Sequence, residues 1–317
     1  MIRKLLSRWV DGPVAAGLLL ASGCALAFAP DPFILMIARA FLLQWSLCAL
    51  AIAQVAFATR RWWSAAAASL VALLLAFPPR TTVQPEQTAA GIDLVRVTQM
   101  NVFQPNDDHA EVIAAAIATN AEVISFQEVS PAWAEVLLQG LSGRYPFHRL
   151  VPGNNCYGIA LFSRLPFLRV DVLPLLTRPM LCAEVATPAG PVRLLSVHAT
   201  SPGSYTHFRE RNAQLEKLAT IVNERPMPVI LFGDLNTVSW DRALVDLCTR
   251  TGLREHPDNT NATWPSFGGM ALIPLDHILV TEELAVSGLD IFTISGSDHC
   301  GITAVIRSRS CEPEPHG

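Results

Sequence analysis

The chain has 317 residues, 51% of them hydrophobic and only 16% charged, an apolar excess over an ordinary soluble protein of that length. Its net charge of −4 conceals a split: residues 1–80 hold seven Lys and Arg against two Asp and Glu, a balance of +5, and residues 81–317 hold 16 against 25, a balance of −9. With Lys217 its only lysine, the larger part advertises no basic surface of the kind that neutralises nucleic-acid phosphates.

The apolar excess is concentrated at the front, in the runs 13–29, 33–58 and 62–77. A helix crossing a bilayer needs about 20 apolar residues, so the second run is ample and the other two are marginal. Arg39 interrupts the second run but leaves 40–58 unbroken, with Arg39 free to snorkel to the interface. Trp62 and Trp63, behind Arg60 and Arg61, look like an interfacial anchor at the start of a third span. The expectation is a membrane anchor of about three transmembrane helices over residues 1–80. A cleaved signal peptide is the competing reading, because MIRKLLSR is a basic leader and ALAFA offers small residues for cleavage, but it leaves two apolar runs unexplained. Buried core helices, a third reading, conflict with the near absence of polar residues on any face. Arg3, Lys4 and Arg8 precede the first span, Arg60 and Arg61 lie between the second and third, and Asp31 lies between the first two. Positive residues stay in the cytoplasm, which makes the chain a multi-pass protein of the cell (inner) membrane with its remainder on the extracytoplasmic side.

PPRTTVQPEQTAAG, Pro78 to Gly91, reads as a linker, assigned to residues 81–91. From there β-rich runs alternate with helical patterns. DLVRVTQMNV (93–102) is a strand, HAEVIAAAIATN (109–120) a helix, AEVISFQEV (121–129) and YGIALFSR (157–164) strands. MLCAEVA and VRLLSVHA form a hairpin across TPAGP, and THFRERNAQLEKLATIVNE is an amphipathic helix with Leu215, Leu218, Ala219 and Val222 on one side. The strand PVILFGD, a helix near 240–251 and the strands LDHILV and GITAVIRS complete an α/β or α+β layered domain over residues 92–308, before a frayed tail at 309–317.

Several strands end alike, with an apolar run stopping at a carboxylate, amide or imidazole. Asn101 ends VTQMN, Glu128 ends VISFQE, His198 ends LLSVH, and Asp234 and Asn236 end VILFGDLN. Asp276 sits in IPLDHILV, and Asp298 with His299 precedes CGITAVI. Any one of these alone reads better as a turn cap or a structural histidine. Six strand ends of the same kind point to a site built on a sheet edge. Five cysteines follow the anchor without C-x-x-C spacing, and no two histidines lie three or four apart, which argues against structural zinc. Cys156 and Cys182 border neighbouring strands and form the best disulfide guess if the domain is extracytoplasmic. Oxygen ligands suit Mg²⁺ or Mn²⁺, imidazoles suit a phosphate in an otherwise negative site, and a carboxylate beside an amide suits a water. Together they describe metal-assisted attack of water on a phosphorus ester. No G-x-S-x-G elbow and no Walker or Rossmann glycine pattern appears.

QMNV, SFQEV, YGIALFSR, SVHA, GDLNT, LDHILV and GSDHCGI, in that order over Ile92 to Arg307, resemble the endonuclease/exonuclease/phosphatase superfamily. With the N-terminal runs, the chain is similar to its membrane-anchored bacterial branch. The resemblance implies a deoxyribonuclease I-like four-layer sandwich, two mixed β-sheets flanked by helices. It also implies roles: Glu128 as principal Mg²⁺ ligand, Asn101 beside it, and Asp298 at the metal or its water shell. Asp234 would orient or deprotonate the attacking water, and Asn236 would help hold water and phosphate. His299, paired with Asp276, and His198 would contact the phosphate from two sides. TRPM, Thr177 to Met180, offers no acid where several relatives support this histidine with a glutamate.

In LDHILV, Asp276, Ile278 and Val280 share one face and His277 faces away, the position of a half-exposed strand residue. His109, His148, His207 and His256 lie outside the motifs. Trp264 and Phe267 precede the Asp276 strand in a loop that either lines the substrate entrance or simply packs. NAT (261–263) matches a glycosylation sequon of little meaning in a bacterial chain. The expected function is a membrane-anchored, divalent-metal-dependent phosphohydrolase acting on a phosphoester or phosphodiester, with a lipid-linked substrate among the candidates and no protein partner. The alternatives are a nuclease acting on nucleic acid and a catalytically inactive binding module on a membrane stalk.

Overall fold

Strands whose alternate residues are apolar can bury one face against another sheet and the other against helices, and this chain uses both. The computed structural model describes residues 10–30, 32–77, 91–224, 227–256, 262–268 and 270–309. The expected linker from residue 78 to 90, the tail from 310, Cys311, Asn261 of the sequon, and Arg3, Lys4, Arg8 and Asp31 lie outside them. The chain divides into two compact units, residues 1–80 with Trp240–Arg242, and residues 81–239 with 243–317.

The first unit holds a short π turn, Val10–Val14, then α1 (Ala15–Phe28), α2 (Phe33–Ala40), α3 (Leu42–Ala58) and α4 (Trp62–Ala76). Among the described residues no single helix is long and apolar enough to cross a membrane. The three long spans expected from the sequence are therefore not formed as such. The 17 residues of α3 rise only about 25 Å, short of a hydrocarbon core of about 30 Å. Pro30 and Pro32 break the first run from the second, because proline cannot continue a helix and restricts the residue before it. The segments Gly12–Phe28 and Phe33–Ala40 pass the length and composition test only as a pair, bent by 96°. Arg39 does not snorkel. Its Nε and Nη2 donate at 2.7 Å to the carbonyls of Leu26 and Ala29, satisfying acceptors at the C-terminal end of α1.

The second unit contains β1 (Asp93–Asn101), α5 (His109–Ala118), β2 (Val123–Gln127), α6 (Pro131–Leu141), β3 (Phe147–Val151), β4 (Ile159–Ser163) and β5 (Phe167–Leu175). It continues with β6 (Arg178–Thr187), β7 (Gly190–His198), α7 (Tyr205–Asn223), β8 (Val229–Asp234) and α8 (Arg242–Thr251). The last strands are β9 (Arg254–Glu255), β10 (Asp276–Val280), β11 (Leu284–Thr293) and β12 (Cys300–Ser308). They form two six-stranded sheets, in the orders β11-β12-β1-β2-β4-β3 and β5-β6-β7-β8-β10-β9. Each sheet is mixed: β1 runs parallel to β2, and β7 parallel to β8, while the other pairs are antiparallel.

One core lies between the sheets, with Val95 and Val97 of β1, Leu194 of β7, Ile230 and Phe232 of β8 and Ile278 of β10. Met100, Ile124 and Phe126 turn outward onto α5 and α6 through Val112, Trp133 and Leu137. Leu195, Leu231 and Leu279 turn outward onto α7 and α8 through Leu215, Leu218 and Leu247. The expected helix, sheet, sheet, helix layering is thereby formed. Helix α6 begins on Ser130, whose side chain accepts from Trp133 N, with Pro131 at the first helical position.

Candidate active site

The parallel pairs set the site. β1, β2, β7 and β8 end at one edge of the sandwich, and the antiparallel strands β10 and β12 begin there. Inward-facing rows that are apolar along their length become polar at this edge: Val95, Val97, Gln99, Asn101 on β1, and Ile230, Phe232, Asp234 on β8. His198 pairs in register with Asp234, and Asp234 with Asp276, so three neighbouring strands bring their polar ends together.

Asp234 is the centre, 1% exposed. Its Oδ1 accepts from Asn236 N at 2.8 Å. Its Oδ2 faces three nitrogens: Asn101 Nδ2 at 3.2 Å, His198 Nε2 at 3.5 Å and His299 Nε2 at 3.7 Å. Burial alone would raise the Asp234 carboxyl, but the His299 charge and the His198 contact outweigh it and hold the group below the usual carboxylate range. His299 Nδ1 lies 2.9 Å from Asp276 Oδ2. Burial pulls that imidazole down, yet Asp276 and Asp234 together push it up to about 10, so it is a cation at neutral pH. Asp276 Oδ1 in turn accepts from Gln99 Nε2 at 2.7 Å.

Asp234, Asp276 and His299 offer ligand atoms within 4.8 Å of one another, a grouping able to hold a metal ion by proximity. An imidazolium whose Nδ1 is spent on a carboxylate is a poor ligand, so the hydrogen bonding favours an acid–base relay there. The better fit for a cation lies with the other carboxylates. Asp298 Oδ2 accepts from Trp264 Nε1 at 3.0 Å, but Oδ1 is buried with no hydrogen-bond partner. A bare carboxylate oxygen in a set of oxygen donors suits a hard divalent ion. Glu128 accepts from Gln104 N at 2.9 Å through Oε2 and from Asn101 Nδ2 at 3.2 Å through Oε1.

Asn101 stands beside Glu128, as expected: its Oδ1 accepts from Phe103 N at 3.0 Å, and its amide nitrogen bridges Glu128 and Asp234 and so spaces the two carboxylates. Two site residues sit in the left-handed backbone region, Glu128 at φ 64° and Asn236 at φ 48°. Backbone strain of this kind collects at functional sites, where surrounding structure holds it. Asn236 is held by its Nδ2 on Ala199 O at 3.0 Å. Gly233, at φ 142°, precedes Asp234; a Cβ there would stand 1.9 Å from Val197 O, so only glycine lets β8 close on β7 at this point.

Further expectations change. His277 is fully buried, not half-exposed: Nδ1 meets Glu255 Oε1 at 2.6 Å and Nε2 meets Thr237 O at 2.8 Å. Both ring nitrogens face acceptors; burial lowers the imidazole, but Glu255 raises it above its ordinary value. Cys156 and Cys182 are free thiols, each on a different segment, and no disulfide joins them. His198 indeed lacks an acid behind it, for its Nδ1 is buried without a hydrogen bond. Trp264 lines the site through Asp298 and stands 6.5 Å from the His299 ring, whereas Phe267 is 65% exposed. The sequence reading missed the polar ladder behind these groups. Gln99 donates to Gln127, Gln127 to Ser125, and Ser125 meets Ser196 across the sheets. Their signal was polar residues at inward positions of otherwise apolar strands.

Two mixed sheets with a buried acid, amide and imidazole cluster at one edge define an α/β sandwich of the deoxyribonuclease I-like class. The chain belongs to the Endonuclease/Exonuclease/phosphatase family, whose model matches residues 55–299. Members of that family are divalent-metal-dependent hydrolases acting on phosphoester bonds. Among solved structures, the chain is similar to an endonuclease/exonuclease/phosphatase from Beutenbergia cavernae DSM 12333, at 20% identity and a TM-score of 0.55, over 68% of this chain and 72% of that one. It is similar to D. rerio TDP2 complexed with single strand DNA product, at 17% identity and a TM-score of 0.56, over 67% and 98% of the two chains. Sphingomyelinase C from Streptomyces griseocarneus aligns at 16% identity and a TM-score of 0.51, over 68% and 99%. Comparison with curated proteins gives no match.

Proposed function

We propose that this chain is a membrane-attached, Mg²⁺- or Mn²⁺-dependent phosphohydrolase that cleaves a phosphoester or phosphodiester of a lipid-linked substrate. The observation that carries the chemistry is the single buried network joining Asp234, His299, Asp276 and His198, with Glu128 tied to Asp234 through Asn101 and Asp298 holding an unpartnered buried oxygen. Glu128 and Asp298 would hold the cation, which supplies Lewis-acid polarisation of a phosphoryl oxygen when bound. Asp234, kept ionised, orients a water and takes its proton as the water attacks phosphorus, while the P–O bond to the leaving group breaks and the leaving oxygen takes a proton from solvent. Asn236, fixed through its backbone N–H on Asp234 and its side chain on Ala199, steadies that water and the phosphate. His299 presents Nε2–H to a phosphate oxygen, and Asp276 fixes the ring by holding Nδ1. His198 contacts the phosphate from the neighbouring strand.

Support for membrane attachment comes from the first unit, whose helices leave Leu18, Ile34, Leu47, Val55, Phe57 and Trp63 exposed. An apolar surface of that extent calls for a cover, and lipid is the cover its composition suits. The charge rule then favours an extracytoplasmic catalytic unit. A nuclease reading draws on the D. rerio relative with its DNA product, but the balance of −9 over residues 81–317 disfavours a polyanionic substrate.

Full-length chain in detergent should hydrolyse bis(p-nitrophenyl) phosphate, lose activity in EDTA and regain it on adding Mg²⁺ or Mn²⁺. Hydrolysis that persists undiminished in EDTA would refute the metal-assisted mechanism.

A further inference from the structure

Beside His198 lies a cleft of 190 Å³, several times what one water needs, lined by Gly153, Asn155, Tyr157, Thr177 and Arg178. The loop between β3 and β4 forms one wall, and the start of β6 the other. Gly158 lets that loop close on the Glu128 segment, since a Cβ there would meet Val129 O at 1.9 Å. Gln104 ties the same rim to the site, with its N–H on Glu128 and its Nε2 on Gly153 O. Tyr157 faces both ways: its ring stands 5.1 Å from the His198 ring, and the Arg178 guanidinium lies 3.6 Å above its centroid.

Arg178 is unusually well held for a residue with so few hydrogen bonds. Stacking fixes the plane of its guanidinium, and Nε donates to Thr200 Oγ1 at 3.2 Å, two residues beyond His198. Nη2 stands 3.8 Å from Glu210 Oε2, an ion pair beyond hydrogen-bond distance, and Nη1 makes no hydrogen bond to the described residues. Glu210 itself accepts from Thr177 Oγ1. A flat, anchored guanidinium with Nη1 open and Nη2 held only by a long ion pair is a preorganised fork for two oxygens of one anion. Glu210 reduces the positive charge of the cleft, which selects an anion that engages the fork over one drawn by charge alone.

We propose that this cleft binds a second phosphate of the substrate, next to the one at Asp234 and His299, so that the chain prefers diphosphate esters to phosphoesters whose neighbouring group is neutral or cationic. The inference rests on the reading of the main site as a phosphoester site. The adjacent phosphate of a polynucleotide offers the same oxygens, but the acidic balance of the unit favours a small diphosphate ester.

The test uses two ligands that are not hydrolysed, so it does not depend on catalysis. Methylenediphosphonate and methylphosphonate are titrated calorimetrically into full-length chain in detergent at fixed free Mg²⁺. The wild type should bind methylenediphosphonate at least about tenfold more tightly than methylphosphonate. Arg178→Ala should remove most of that preference while leaving methylphosphonate within about threefold, Arg178→Lys should fall between, and Glu210→Gln should enlarge it. Equal affinity for the two ligands in the wild type, or an undiminished preference in Arg178→Ala, would overturn the proposal. Should Arg178→Ala fail to fold, Glu210→Gln still decides, because a preference that it leaves unchanged or weakens contradicts an anion at Arg178. Tight methylenediphosphonate binding by a chain without hydrolytic activity would sink the functional reading and leave this subsite standing. A single-stranded oligonucleotide that outcompetes methylenediphosphonate would overturn the preference for a small diphosphate.

Discussion

Three buried charges, Asp234, Asp276 and His299, would destabilise an ordinary core, and here each is answered by a specific partner. Asp234 is answered by two imidazoles and an amide, His299 by Asp276, and Asp276 by Gln99 as well. A second buried pair, His277 with Glu255, stands on the outer face of β10 and holds the carbonyl of Thr237, three residues beyond Asp234. Burial would lower the His277 imidazole, but Glu255 raises it above its ordinary value. A group raised in the folded state stabilises fully below its unfolded value of about 6.5 and loses that contribution as pH rises through its folded value. Glu255→Gln should therefore cost about 3 kcal/mol at pH 6, because a buried cation loses its partner. The same variant should lose the His277 share of the decline in stability expected above about pH 6.5, leaving the share that His299 contributes. Thermal unfolding of both proteins from pH 6 to 9 checks this, and parallel curves would contradict it.

At the scale of elements, the close approach of β7 and β8 is what aligns His198 with Asp234. Gly233→Ala forces a Cβ onto Val197 O and an unfavourable φ, and should destabilise the fold by about 3 kcal/mol or more and abolish activity. Unfolding midpoints and hydrolysis rates measure it; a variant as stable and active as the wild type would show that β8 can shift without disturbing the site. The strands carrying the site were legible because each is an apolar run that stops at Asn101, His198, Asp234 or Asp276. Gln99, Gln127, Ser125 and Ser196 were not, because a polar residue inside a strand points inward or outward according to a register that sequence alone does not fix. Edge strands β5 and β11 were missed for a related reason: β5 is mostly exposed or half-buried, and β11 buries only its first three residues before turning exposed and half-buried. Helix α6 went unread although its cap, Ser130 followed by Pro131, is visible in the sequence.

Over the whole molecule, composition separates an apolar front from an acidic remainder more sharply than it describes either. The front was read by run length, which broke it at residues 30–32 and 59–61 but not at Phe41, where the second run divides, so the helices are 14, 8, 17 and 15 residues long. If the exposed apolar faces of these helices lie in lipid, the full-length chain should stay in the membrane pellet after washing at pH 11. Its release into the wash would remove membrane attachment from the account. The central claim concerns the cluster at the sheet edge, and substitution at its two distinct parts tests it most directly. Hydrolysis of bis(p-nitrophenyl) phosphate by the full-length chain with Mg²⁺ should fall by about 10² to 10⁴ in both Asp234→Ala and Glu128→Ala, with folding unchanged. Activity at the wild-type rate in both variants would contradict it.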